Sequence, residues 1–119
     1  MKKVWMNGCF DVLHHAHFKM IEFASTFGDL VVIGIDSDRR VKELKGEDRP
    51  FHSQEERKYN LERIKGVSRV FIFDSSQLLE ELIKIMKYTS ILVIAALFAA
   101  ANVEQVSAVA LDRKKKKDD

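Results

Sequence analysis

Asn7-Gly8-Cys9-Phe10-Asp11-Val12-Leu13-His14-His15-Ala16-His17 is the stretch on which the reading of this chain turns. It follows a short apolar segment, Val4, Trp5 and Met6, and runs into a helical pattern that begins near Ala16. An apolar segment, a glycine turn and a helix in that order form the first βα step of a parallel sheet. Asn7-Gly8 is a turn signal, and Gly8 lets backbone come close to a ligand. His14 and His17 are three apart, so on the first turn of a helix they share a face. A helix start aims backbone N–H groups and a positive dipole end at whatever lies above it. Two imidazoles beside such an end suit a polyphosphate, because they can donate hydrogen bonds to phosphoryl oxygens as negative charge shifts during displacement.

Outward from that stretch the βα alternation repeats. The helix carries Phe18, Ile21, Phe23 and Ala24 at roughly 3.6-residue spacing, and Gly28 is placed to end it as a C′ residue. Residues 30–35 are continuously apolar, as a strand buried on both faces should be, and Asp36-Ser37-Asp38 follow at its carboxyl end. Ligands of open α/β sheets bind at that edge. Residues 39–51 are polar, heavily charged and broken by Gly46 and Pro50, which reads as a solvated loop with a short helix. Ser53 to Glu56 spells a capping box for a second long helix, with Leu61 and Ile64 inward and Gly66 at its close. Residues 70–73 and 91–94 read as further strands, and 105–111 as a fifth. Ser75 or Ser76 caps a helix whose apolar face is Leu78, Leu79, Leu82, Ile83 and Met86. The expected architecture is α/β: a Rossmann-like, doubly wound parallel sheet with helices on both faces.

With 119 residues, 46% of them hydrophobic and 32% charged, the chain can form one domain with a core of its own. The expected division is a domain over residues 1–113 and a charged tail over 114–119. Residues 113–119 carry a net +3, so the body of the chain is near −1 despite the overall +2. That balance argues against a nucleic-acid partner. The longest apolar run, residues 91–101, is too short to cross a bilayer, which takes about 20 residues. No signal peptide is visible, and a lone cysteine, Cys9, makes no internal disulfide; both fit a cytoplasmic protein. Cys9 itself reads either as a nucleophile or as a small packing residue.

Gly8-Cys9-Phe10-Asp11-x-Leu13-His14-x-x-His17 resembles the signature of the cytidylyltransferase-like nucleotidyltransferases, Gly-x-Phe-Asp-x-x-His-x-Gly-His, with Ala16 where the family has Gly. Within that family it looks like glycerol-3-phosphate cytidylyltransferase and the adenylyltransferase domain of ADP-heptose synthase. The order Asp36-Ser37-Asp38, Leu44-Lys45-Gly46, Arg49-Pro50 and Glu56-Arg57 strengthens the likeness, which is specific over residues 4–94. The resemblance implies transfer of CMP or AMP from CTP or ATP to a phosphomonoester, with Mg²⁺ accompanying the triphosphate and a homodimer as the assembly. It implies catalytic roles for His14, His17 and Lys45. Gly8, Cys9, Phe10, Asp11, Lys42, Arg49 and Arg113 would line the nucleotide, Asp11 orienting a histidine or the metal. Arg57 either points into the site or pairs with a neighbouring carboxylate. No metal ligand is assigned.

The likeness frays after residue 94. Ala95-Ala96-Leu97-Phe98 stands where relatives have Gly-x-Asp-Tyr, and Asp112-Arg113 is followed by lysines instead of an Arg-x-x-Gly-x-Ser-Thr-Thr segment. Weaker nucleotide binding and poor base selectivity are therefore expected. The apolar residues 95–101 support an alternative: a catalytically impaired nucleotide-binding or self-assembly module of the same fold.

Overall fold

The computed structural model describes residues 2–88, together with the backbone of 92–93 and 106–107. Arg113, the 113/114 boundary and the apolar residues 95–101 lie outside the described residues. The elements run β1 (Lys3–Gly8), α1 (His15–Ala24), β2 (Leu30–Asp36), α2 (Asp38–Lys45), α3 (Gln54–Glu62), β3 (Val67–Phe73), α4 (Ser76–Tyr88), β4 (Leu92–Val93) and β5 (Val106–Ser107). The strand order is β3-β2-β1-β4, all parallel, with β5 pairing antiparallel to the end of β1 at Asn7 and Gly8. The order reverses between β1 and β4, and in such sheets ligands bind at the strand ends beside the reversal. β5 departs from the all-parallel sheet expected.

The side chains of β1 alternate between two dry layers. Val4 and Met6 face one layer with Val31, Ile33, Ile35, Met20, Ile21, Ala24, Leu61 and Val70, under α1 and α3. Trp5 faces the other, with Val32, Met86, Leu79, Leu82 and Ile83 under α4. Each fully buried side chain of this size stabilises the fold by about 1.5–3 kcal/mol. Gly34 lies beneath the indole: a Cβ there would meet the ring of Trp5 at 2.4 Å. The Trp5 indole N–H donates to Asn7 Oδ1 at 3.1 Å, so the buried ring has its polar atom satisfied.

Several local expectations are corrected. Asn7 and Gly8 are the last residues of β1, still paired with Gly34 and Ile35, and the turn begins after them. The inward stripe of α1 is His17, Met20, Ile21 and Ala24, whereas Phe18 and Phe23 are about half exposed. An imidazole takes the place an apolar residue was expected to fill. Gly28 is not the helix stop, since α1 ends at Ala24 with Ser25 as C-cap in ordinary helical conformation. Gly28 instead allows close approach to β1: a Cβ there would meet Val4 Cγ2 at 2.6 Å and Lys2 O at 3.0 Å. The Ser53–Glu56 capping box is present, Ser75 caps α4, and Leu78 lies at the edge of the α4 face. β3 begins at Val67, three residues earlier than the apolar run suggested.

Candidate active site

β1 and β2 are parallel, so their carboxyl ends share one edge of the sheet. The β1 end releases Cys9 to Leu13 and then α1; the β2 end releases Ser37 and then α2. His14 is the N-cap of α1, in extended conformation, and its Nδ1 accepts from Ala16 N at 3.2 Å. His17, three residues on, is fully buried, and its Nδ1 accepts from His14 N at 3.1 Å. The two side chains thus form a reciprocal cap built from imidazoles, with ring centroids 4.2 Å apart. A ring nitrogen that accepts from a backbone N–H cannot carry a proton, so in each neutral ring the proton is on Nε2. The cap therefore sets the tautomer and makes both Nε2 atoms donors. Ala16, at the variant motif position, supplies one of the N–H groups that does this.

Among the described residues, Phe10 is the non-glycine residue with positive φ, 52°. That conformation costs on the order of 1–3 kcal/mol and persists only where surroundings impose it. Its side chain is fully buried with the ring 5.2 Å from that of His17. On one side, Cys9 is buried: its Sγ donates to Asp36 Oδ2 at 3.3 Å, and its carbonyl accepts from Arg57. Those contacts are those of a packed residue at a strand end. On the other side, the Asp11 carboxylate is buried and accepts from Phe51 N at 2.8 Å, His52 N at 2.9 Å and Arg49 Nε at 2.8 Å. Burial pushes the Asp11 carboxyl up, but the two backbone N–H groups and the guanidinium outweigh it and hold it below its ordinary range.

This arrangement gives three of the expected site residues partners within the protein. Asp11 is drawn toward the loop at residues 49–52. Arg49, expected on phosphate, gives its Nε to Asp11 and stacks on the ring of Phe51, 4.6 Å from its centroid. Lys42 Nζ donates to Arg49 O at 3.0 Å, tying α2 to the same loop. The Lys45 side chain, half-buried at the end of α2, has no hydrogen bond or ion pair to another described residue. Of the cations expected near the triphosphate, it is the one not engaged in building the loop among the described residues. The structure thus brings His14, His17, Phe10 and Gly8 together at one strand end, with Cys9 and Asp11 supporting them.

Arg57 resolves to a partner-bound residue. Its guanidinium, buried in α3, donates to Asp38 Oδ1 at 2.8 Å and to the carbonyls of Cys9, Asp36 and His52 at 2.9, 2.7 and 3.0 Å. His52 and Asp36 were not singled out as parts of this network. Asp36 accepts from both Cys9 and Arg40. The signal available in the sequence was position alone: Asp36 ends an apolar strand, where a carboxylate is easily buried.

The chain matches the family described as Cytidylyltransferase-like over residues 5–116. It is 44% identical over 86 residues to the bifunctional protein HldE of Aliarcobacter butzleri, and 45% identical over 84 residues to that of Nitratiruptor sp.. Those alignments cover 72% and 71% of this chain but 18% of each relative, so the chain spans under a fifth of the length of the curated relatives it matches. A lipopolysaccharide core biosynthesis protein from Thermoplasma volcanium shares the fold, with a TM-score of 0.61 at 21% identity, covering 71% of this chain and 68% of that one. Motif, strand order and the match over nearly the whole length agree, and the chain belongs to the cytidylyltransferase-like family.

Proposed function

We propose that this chain transfers CMP or AMP from CTP or ATP to a phosphomonoester, a sugar phosphate or glycerol-3-phosphate, with release of pyrophosphate. The observation that carries the reading is the imidazole cap, which holds His14 and His17 together at the strand end where such sheets bind ligands. An oxygen of the acceptor phosphate attacks the α-phosphorus in line, and the bond from that phosphorus to the bridging oxygen breaks as pyrophosphate leaves. No covalent enzyme intermediate is needed; positioning and charge stabilisation carry the step. His14 and His17 donate to α- and β-phosphate oxygens as charge grows there. Lys45 serves as a mobile point charge for the leaving pyrophosphate. Gly8 and Phe10 shape the floor. Mg²⁺ would accompany the triphosphate and would supply neutralisation of its charge. Among the described residues no group of three or more His, Cys, Asp or Glu is placed to hold a metal.

Family membership and the HldE likeness support this reading over that of an assembly module. Calorimetry with CTP and ATP in magnesium is expected to give heat with at least one. Pyrophosphate release with sugar phosphates and glycerol-3-phosphate is expected to exceed that of a His14→Ala control. A folded sample that binds neither nucleotide removes the assignment.

A homodimer in the cytoplasm is the proposed state. No helix among the described residues is long and apolar enough to cross a membrane. Phe18 and Phe23 leave apolar surface on α1, and symmetric homodimers are the commonest oligomers. Light scattering at micromolar concentration is expected to report about twice the chain mass of 13.7 kDa; a species of 13.7 kDa alone would overturn the dimer.

A further inference from the structure

We infer that Arg57 is a positioning residue for the histidine pair, acting through the backbone of Phe10. The catalytic consequence rests on the nucleotidyl-transfer reading; the effect on the rings rests on geometry alone. A guanidinium carries five N–H donors in a rigid planar fork. Arg57 spends that fork on four acceptors in four separate segments: Cys9 O at the end of β1, Asp36 O at the end of β2, His52 O in the loop, and Asp38 Oδ1 at the start of α2. The side chain is fully buried, and its carboxylate partner Asp38 is itself 39% exposed. A charge so buried, with one half-exposed counter-charge, is held by its fit to carbonyls more than by ion pairing.

What the fork fixes is the backbone entering the motif. Cys9 O is turned toward Arg57 on one side of Phe10, and the Asp11 carboxylate is held by Phe51 N and His52 N on the other. Phe10, gripped from both sides, adopts φ 52° and lays its ring 5.2 Å from that of His17. His17 in turn takes the N–H of His14, whose own ring caps α1. The chain of contact therefore runs from Arg57 to Cys9 O, to Phe10, to His17, to His14. The same fork also fixes where α2 starts, and with it the helix that ends in Lys45.

Arg57→Lys keeps the charge but replaces a planar fork by a single point, which cannot reach four spread acceptors. Turnover in this variant is expected to fall about tenfold or more with nucleotide KM changed less than threefold, the split expected when transition-state donors are misplaced while ground-state binding survives. The deciding measurement is a double-mutant cycle. His14→Ala should cost about 100-fold in the parent and under about tenfold in the Arg57→Lys background, because residues that act through one another are not additive. A merely structural loss would multiply the two factors. In parallel, ¹⁵N spectra of the imidazoles should show the Nε2-protonated tautomer for both rings in the parent, and altered or averaged signals for His17 in the variant. If Arg57→Lys does not fold, Asp38→Asn, which weakens the same fork at its half-exposed partner, carries the cycle and the spectra. Equal His14→Ala costs in both backgrounds, or unchanged His17 ring signals, overturn the inference. Absence of turnover in the parent would sink the nucleotidyl-transfer reading instead, and the ring signals alone would then decide the role of Arg57.

Discussion

His14→Ala is expected to lower turnover by about 10²-fold or more while the fold survives, the effect of losing one preorganised transition-state donor. The side chain is exposed and caps α1 through its bond to Ala16 N, so the stability cost should be on the order of 1 kcal/mol. His17 calls for a different substitution. It is fully buried and accepts from His14 N, so alanine would remove a packed ring and the cap at once. His17→Asn leaves an oxygen near the Nδ1 position to take that N–H and deletes only the Nε2 donor. A loss of turnover of similar size, about 10²-fold, is expected. Single-turnover kinetics beside circular dichroism make the check. Variants that retain parental turnover with parental folds would make the imidazoles bystanders and the proposed mechanism wrong.

Asp11→Ala should be the most destabilising single change at the site. It strands Phe51 N, His52 N and the Arg49 guanidinium together, and breaking one partner of a buried pair costs about 3–5 kcal/mol. For a domain of this size that lowers the melting temperature by more than about 10 °C. The pH dependence has a definite sign. Burial raises the carboxyl, the His52 and Phe51 N–H groups and Arg49 lower it more, and the folded value lies below the ordinary 3.8. The folded state therefore holds this proton less tightly than the unfolded chain. Its contribution is complete above the unfolded value and is lost as pH falls through the folded one. Melts of the parent and of Asp11→Asn from neutral pH downward should show a gap that is constant to about pH 4 and then narrows. A gap that stays constant into strong acid would mean that the carboxylate does not hold the loop.

The fold was legible where the signal is local. β2 is buried on both faces and so reads as a continuous apolar run, and the Ser53–Glu56 capping box needs only four residues. α1 was misread because its buried stripe includes His17 while Phe18 and Phe23 face outward. Gly28 was misread because its reason is a neighbouring strand, not the helix before it. At the site, the pairing of His14 with His17 follows from three-residue spacing on a helix start. The duties of Asp11 and Arg57 do not, since their partners lie about 40 and up to 48 residues away in sequence and meet them only once the sheet has formed. The same distance explains Arg49 and Lys42. A cation in a charged loop near the strand ends suggests phosphate, and nothing local reveals that Arg49 bonds Asp11 and that Lys42 bonds the Arg49 carbonyl.

Gly34 and Trp5 give the molecule an optical property of its own. The chain has a single tryptophan, so all indole emission comes from one place. That place is the layer between the sheet and α4, where the missing Cβ of Gly34 makes room for the ring. The histidines sit against the opposite layer through Phe10. Fluorescence therefore reads whether α4 is seated, on the face of the sheet opposite the histidines, and the two faces can be followed as separate channels within one sample.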